Sequence, residues 1–335
     1  MAYTVVQTTP ALLSPPFWSE LAEKTGADLV KVHCPTEDDL IANAQEADAV
    51  IALFEPYTSK VIGGLPRLRH ISQIGIGYDQ IDVDAATERG VLVTNIPDYC
   101  LEEVSDHAMT LLLASARKVT RLNAISKAGR WGEGRMILSP MSKMRGGTLG
   151  LVGFGRIPRT LLPKARGFGL NVIVHDPFVP EAVAREHGVE LVSMERLLAE
   201  SDYISVHAAL TKENRHMFGL EQFKRMKPSA HFINTARGGL VDEGALYTAL
   251  TEGYIAGAAI DVMESEPPDP QSPLLGLDNI IVTPHTAQAS DTATEELMRR
   301  PMEEVVQVMA GRWPRGIVNP EVRERFVQRF GPMSG

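Results

Sequence analysis

Short apolar runs alternate with amphipathic stretches along most of the chain. Residues 29–32, 49–53, 70–74 and 91–94 are four or five positions long and rich in β-branched side chains, as suits strands buried on both faces. Between them, 37–46 and 82–88 carry helical spacing, and the alternation predicts a parallel sheet with covering helices. The longest helical pattern covers 101–126. Val104, Ala108, Leu111, Leu112 and Val119 share its apolar face, Ser115 is that face's one polar member, and Glu102 and Glu103 lie where a helix dipole favours acids. The glycine-rich stretch 128–147 has no periodicity and reads as a loop, in which Trp131 either borders a cleft or pins the loop. The rhythm resumes at 148 and continues through 172–176, 203–206, 231–235, 255–262 and 279–283 to a last helix at 291–310. The tail, 321–329, has the pattern of an amphipathic helix, equally suited to solvated cover or a dimer contact.

A chain of 335 residues is too long for one ordinary core and fits two α/β domains. A net charge of −9, with no long Lys/Arg stripe, argues against nucleic acid as a partner. No apolar run has the length of a membrane span, and residues 1–7 lack the basic and apolar segments of a secretory signal. Cys34 and Cys100 have neither metal nor redox spacing, so they read as reduced thiols of a cytoplasmic protein, and no metal site is expected.

The stretch Thr148-Leu-Gly-Leu-Val-Gly-Phe-Gly-Arg-Ile-Pro158, followed by Val172-Ile-Val-His-Asp176, reads as strand, phosphate-binding turn, helix and second strand ending in a carboxylate. Gly153 permits the tight turn, Gly155 lets backbone approach a pyrophosphate, and Arg156 and Ile157 open the helix whose free amides face that anion. Asp176 is placed to accept from both ribose hydroxyls and would meet a 2′-phosphate as like charge, so NAD is expected and NADH preferred over NADPH. Pro158 stands where the pattern has a third glycine. Proline is tolerated in a first helical turn, and the phosphate contact it forfeits is one that Arg156 is placed to offset.

Three polar residues follow three of the later strands: Arg237 after 231–235, Glu266 after 256–262 and His285 after 279–284. In an open parallel sheet the carboxyl ends of strands face the ligand crevice, so the three are expected to converge. Singly, each has an ordinary reading as a capped loop histidine, a solvated turn or a surface glutamate. Jointly, downstream of a nucleotide fingerprint, they describe a proton carrier, its carboxylate support and a two-pronged cation for a 2-keto acid. Gly75 and Gly77 would let successive amides form an anion nest, whereas His33 and His107 read as structural.

Asn234-Thr-Ala-Arg-Gly-Gly-Leu-Val-Asp-Glu243, Asp261-Val-Met-Glu-Ser-Glu-Pro267, Thr283-Pro-His-Thr-Ala287 and Gln73-Ile-Gly-Ile-Gly-Tyr-Asp-Gln-Ile-Asp82 resemble signature blocks of the NAD-dependent D-isomer-specific 2-hydroxyacid dehydrogenases. The likeness runs from about residue 45 to 320. It implies two doubly wound parallel-sheet domains, a Rossmann NAD-binding domain at 101–295 inserted into a flavodoxin-like substrate domain at 1–100 and 296–335. It makes Arg237, Glu266 and His285 the catalytic trio. By the same resemblance, Ile74, Gly75 and Ile76 bind the substrate carboxylate. Thr235, Ala236 and Asp261 lie by the nicotinamide, His207 and Ala208 line the cofactor cleft, and the enzyme is a homodimer. Expected substrates are small 2-keto acids such as glyoxylate or hydroxypyruvate. The loop at 54–57 offers Glu55 where a phosphate tail would call for a base, and the other loop carries Gln73. The alternatives are a D-3-phosphoglycerate dehydrogenase or an NAD-sensing scaffold like the C-terminal-binding proteins. Against the scaffold, Gln288 stands where that branch has a tryptophan.

Overall fold

The computed structural model describes residues 2–8 and 15–334, which divide into two compact units: Met1–Tyr99 with Ser290–Gly335, and Cys100–Ala289. The first is built on strands β1 (Tyr3–Gln7), β2 (Ala27–Lys31), β3 (Ala49–Ala52), β4 (His70–Gln73) and β5 (Leu92–Thr94). They pair in the order β2-β1-β3-β4-β5, all in parallel. This is the flavodoxin-like order. Strand β1 is absent from the sequence pattern above, yet it sits inside the sheet, with Val5 and Val6 buried against Ala49 and Val50. Helix Asp291–Met309 returns to this unit, where Ser72 Oγ donates to Pro301 O at 2.9 Å. The tail becomes a short 3-10 turn and the helix Arg323–Phe330, whose Phe326 is buried with Leu92, Val308 and Val322. The inner face of the tail is therefore core.

The second unit carries β6 (Thr148–Val152), β7 (Asn171–His175), β8 (Glu190–Leu191), β9 (Tyr203–Val206), β10 (His231–Asn234), β11 (Gly257–Ile260) and β12 (Ile280–Val282). Their order is β12-β11-β10-β9-β6-β7-β8, again all parallel. The direction of winding reverses between β6 and β9, the place where open α/β sheets take their ligands. Two apolar clusters belong to this unit. One is centred on Phe218, Phe223 and Phe232, and the other joins Leu111 and Leu112 to Leu149, Leu151, Leu161 and Leu162.

The long pattern at 101–126 is two helices, Leu101–Ala116 and Val119–Lys127. Between them Lys118 adopts a left-handed φ of 52°, which ends the first helix, and its ammonium donates to Ile137 O at 2.8 Å. Val119 accordingly leaves the apolar face and is 52% exposed. The stretch read as loop contains a further helix, Trp131–Met136, whose buried Gly134 lies beside Leu122 and Ile125. Trp131 is 69% exposed, so it does not pin the loop by burial.

Candidate active site

Strands β10, β11 and β12 are neighbours, and the segments leaving their carboxyl ends bring Arg237, Glu266 and His285. Glu266 Oε2 lies 2.6 Å from His285 Nδ1, while Glu266 Oε1 accepts the Met263 amide at 3.0 Å. Burial pushes the Glu266 carboxyl upward, but His285, the Met263 amide and the charge of Arg237 outweigh it and hold the group below the usual carboxylate range. A carboxylate only accepts, so His285 donates from Nδ1 and its Nε2 is left for chemistry. The Arg237 loop is set by Asn234, which is buried: its Oδ1 accepts the Ala236 amide at 3.0 Å and its Nδ2 donates to Arg237 O at 2.9 Å. Arg237 Nη1 donates to Ala236 O. Gly238 closes the arrangement, because a Cβ there would stand 2.0 Å from the Met263 carbonyl carbon. The loops carrying Arg237 and Glu266 are in backbone contact at that point.

His285 has a left-handed φ of 52°, which is uncommon for a residue with a Cβ. Asp261 holds it there. The Asp261 carbonyl accepts the His285 amide at 2.8 Å, and its carboxylate accepts the amides of Thr286 (3.0 Å) and Ala287 (2.8 Å) and the Thr283 hydroxyl (2.5 Å). Burial raises the Asp261 pKa, but those hydrogen bonds, with one from His107, bring it below its ordinary value. The stability Asp261 contributes is therefore complete above about pH 4, the unfolded value, and is lost as pH falls through the lower folded value. Urea titrations should show a flatter acid limb for Asp261→Asn than for wild type; identical slopes would contradict the assignment.

The fingerprint turn is equally constrained. Gly153 has φ 90°, and a Cβ on it would lie 3.0 Å from the Ala208 amide nitrogen and the His207 carbonyl carbon. The turn thus packs on the end of β9, where burial holds the His207 ring down to about 4, neutral at physiological pH. A Cβ on Gly155 would meet nothing within 4 Å, and among the described residues the amides of Gly155, Arg156 and Ile157 have no acceptor. Pro158 is buried in the first turn of helix Arg156–Gly167, where no intrahelical bond is lost. Arg156 is exposed; Arg159, which the motif did not single out, secures the turn through Nε to Phe154 O at 2.9 Å. Asp176 accepts from the Phe154 amide at 2.8 Å and from the Phe178 and Val179 amides at 2.9 and 3.2 Å, so it braces two turns. Glycine backbone, free amides and a carboxylate at the second strand suit a dinucleotide. The Thr235 hydroxyl, two residues before Arg237, is buried and has no partner among the described residues.

In the other unit, the carbonyls of the turn after β4 are all engaged. Gln73 Nε2 donates to Ile74 O, the Ile96 amide to Gly75 O and Asn95 Nδ2 to Ile76 O. Gly75 has φ 112°, and the amides of Gly75 and Ile76 donate to nothing among the described residues. Such a turn offers donors only, which is what an anion needs. Gln73 is buried and structural, and Glu55 closes its own turn by accepting from the Leu53 and Phe54 amides.

Residues 109–287 match the family described as D-isomer specific 2-hydroxyacid dehydrogenase, NAD binding domain. The glyoxylate reductase of Korarchaeum cryptofilum is 40% identical over 310 residues, 91% of this chain and 92% of its own length. The chain belongs to the D-isomer specific 2-hydroxyacid dehydrogenase family. It is an NAD(P)-dependent oxidoreductase acting on 2-hydroxy acids, with the two parallel-sheet domains expected of the family. Among solved relatives of this dehydrogenase, the D-lactate dehydrogenase of Aquifex aeolicus, in complex with NAD and lactic acid, superposes with a TM-score of 0.81 at 29% identity, covering 92% of this chain and 96% of that one. The NADPH-dependent glyoxylate/hydroxypyruvate reductase of Sinorhizobium meliloti, in complex with NADP and malonate, gives 0.84 at 28%, covering 96% and 98%. Both nicotinamide cofactors thus occur among the dehydrogenases of this fold.

Sequence reasoning gave no role to Asn234, Gly238 or Arg159 and took His107 as structural. The first two lie inside the Asn-Thr-Ala-Arg-Gly-Gly block and carried a signal, a small amide and a glycine flanking a polar loop. His107 did not: it is one histidine in a helix, and only the structure places its Nε2 3.0 Å from Thr283 Oγ1.

Proposed function

We propose that this dehydrogenase reduces glyoxylate, hydroxypyruvate or a closely similar 2-keto acid to the D-2-hydroxy acid, with NADH preferred. The observation that carries the reading is the 2.6 Å contact of Glu266 with His285 Nδ1, in the segments that follow β11 and β12, with Arg237 following β10, the other neighbour of β11. Glu266, held as the carboxylate, accepts the hydrogen bond from Nδ1 and so orients the ring. His285 Nε2–H then gives its proton to the substrate's carbonyl oxygen as charge develops there, and takes it back in the reverse reaction. Arg237 polarises the same oxygen and pairs with the adjacent carboxylate. The amides of Gly75 and Ile76 are read as receptors for a substrate carboxylate, in keeping with donors that meet no acceptor among the described residues. A bound nicotinamide cofactor supplies the hydride for C2. Gly153, Gly155 and the amides of Arg156 and Ile157 would hold its pyrophosphate, Asp176 its ribose, and Thr235, Ala236, Asp261, His207 and Ala208 the nicotinamide end. The Thr235 hydroxyl, buried without a partner, fits a site completed by a ligand.

The substrate tail is proposed to be small and uncharged. Residues 74–82 contain neither Lys nor Arg, and Glu55 is the charged group of the loop after β3. Initial rates of NADH oxidation with glyoxylate, hydroxypyruvate, pyruvate and phosphohydroxypyruvate test this. The expected order places one of the first two highest in kcat/KM; a preference for phosphohydroxypyruvate would move the assignment to phosphoglycerate oxidation.

Preference for NADH rests on Asp176. Its replacement by Ala should narrow the NADH/NADPH ratio of kcat/KM about tenfold or more, since like-charge repulsion of a 2′-phosphate disappears. It should also lower Tm, because three amides lose their acceptor. An unchanged ratio would show that another group reads the ribose. A homodimer is proposed from the resemblance and from Val119, Trp131, Met136 and Leu138, an exposed apolar set on neighbouring segments. A cytoplasmic location is proposed from the sequence, in which Cys34 and Cys100 have neither metal nor redox spacing.

A further inference from the structure

Helix Leu101–Ala116 carries His107 against the segment that positions His285. Thr283 Oγ1 donates its proton to Asp261 Oδ1 at 2.5 Å, so its oxygen can only accept from His107 Nε2, 3.0 Å away. The same nitrogen stands 3.5 Å from Asp261 Oδ1. The chain of donors therefore runs in one direction, His107 Nε2–H to Thr283 Oγ1–H to the Asp261 carboxylate. Asp261 in turn accepts the amides of Thr286 and Ala287 through its carboxylate and that of His285 through its carbonyl. Residues 283, 285, 286 and 287 are thus tied to one aspartate, and His285 sits in their middle with its left-handed φ.

We propose that His107 is a positioning residue for the reduction: its Nε2–H fixes Thr283 and Asp261, and through them the backbone that aims His285. His107 is 23% exposed and Asp261 almost fully buried, so the link lies largely out of water, where a hydrogen bond restrains geometry most. Only a donor at the distance of Nε2 serves. Glutamine carries its amide nitrogen at a similar reach from Cβ, whereas leucine fills the volume and donates nothing.

This inference rests on the acid–base reading of His285, and the experiment separates the two. His107→Leu, His107→Gln, His285→Asn and the double variant His107→Leu/His285→Asn are compared with wild type for kcat and KM with glyoxylate and NADH, for NADH Kd by fluorescence, and for Tm. His107→Leu is expected to lower kcat at least tenfold, the scale on which a small misplacement of a reacting group acts, with KM for glyoxylate within about threefold of wild type. His107→Gln should recover most of that kcat. In the double variant the two losses should not add, because a residue acting through His285 has nothing left to position. Wild-type kcat in His107→Leu, equal impairment of the Leu and Gln variants with lowered Tm, or additive losses would each overturn the positioning role while leaving His285 its own. Full kcat in His285→Asn would overturn the acid–base reading, and this inference with it.

Discussion

His285→Asn is expected to lower kcat between about 10²- and 10⁴-fold, the usual worth of a positioned acid–base group, while NADH binding stays within about twofold. Asparagine is chosen because it tolerates the left-handed backbone that His285 occupies, and its amide can still meet Glu266. The loss should fall on the chemical step. It removes the proposed proton donor, whereas the fingerprint turn at Gly153 and Asp176 belong to other loops. Steady-state kinetics with glyoxylate, beside fluorescence titration of NADH, checks both halves. A kcat within a few-fold of wild type would remove His285 from the reaction. A parallel collapse of NADH binding and Tm would show a structural residue instead.

Gly238→Ala should be comparably severe for a different reason. The added Cβ would overlap the Met263 carbonyl carbon at 2.0 Å, its oxygen at 2.1 Å and the Glu264 nitrogen at 2.4 Å. All three are backbone atoms, so no rotamer change relieves the clash, and the Arg237 and Glu266 loops must move apart. Overpacking of this kind costs about 1–3 kcal/mol or more, and a shift of about 1 Å in the reacting groups costs about 10² in rate. We expect a lower Tm and a kcat/KM for glyoxylate down at least a hundredfold. Wild-type kcat/KM with an unshifted Tm would mean that the two loops are not in contact as described.

The architecture was legible wherever strands form short apolar runs alternating with helical spacing, which covers most of both sheets. Strand β1 was not, because Tyr3–Gln7 is short and half polar at its edges, and its inward place in the sheet comes from pairing with β2 and β3. The break at Lys118 was also hidden, since the periodicity of 101–126 continues across it and only the backbone dihedral shows the turn. Around the site, residues that end strands could be read from the rule that ligands gather at carboxyl ends. Those that act by contact between distant segments could not. Asn234 signals through its place in a loop motif, but His107 reaches Thr283 across 176 positions of chain, a link that no spacing encodes.

The most direct measurement uses NADH carrying deuterium at the transferable position of C4, glyoxylate or hydroxypyruvate as acceptor, and mass and chiral analysis of the product. For hydroxypyruvate the expected product is the D-hydroxy acid with one deuterium at C2, formed by wild type and at least about a hundredfold more slowly by His285→Asn. A product without that deuterium, the L-isomer, or labelled product formed by the variant at the wild-type rate would contradict it.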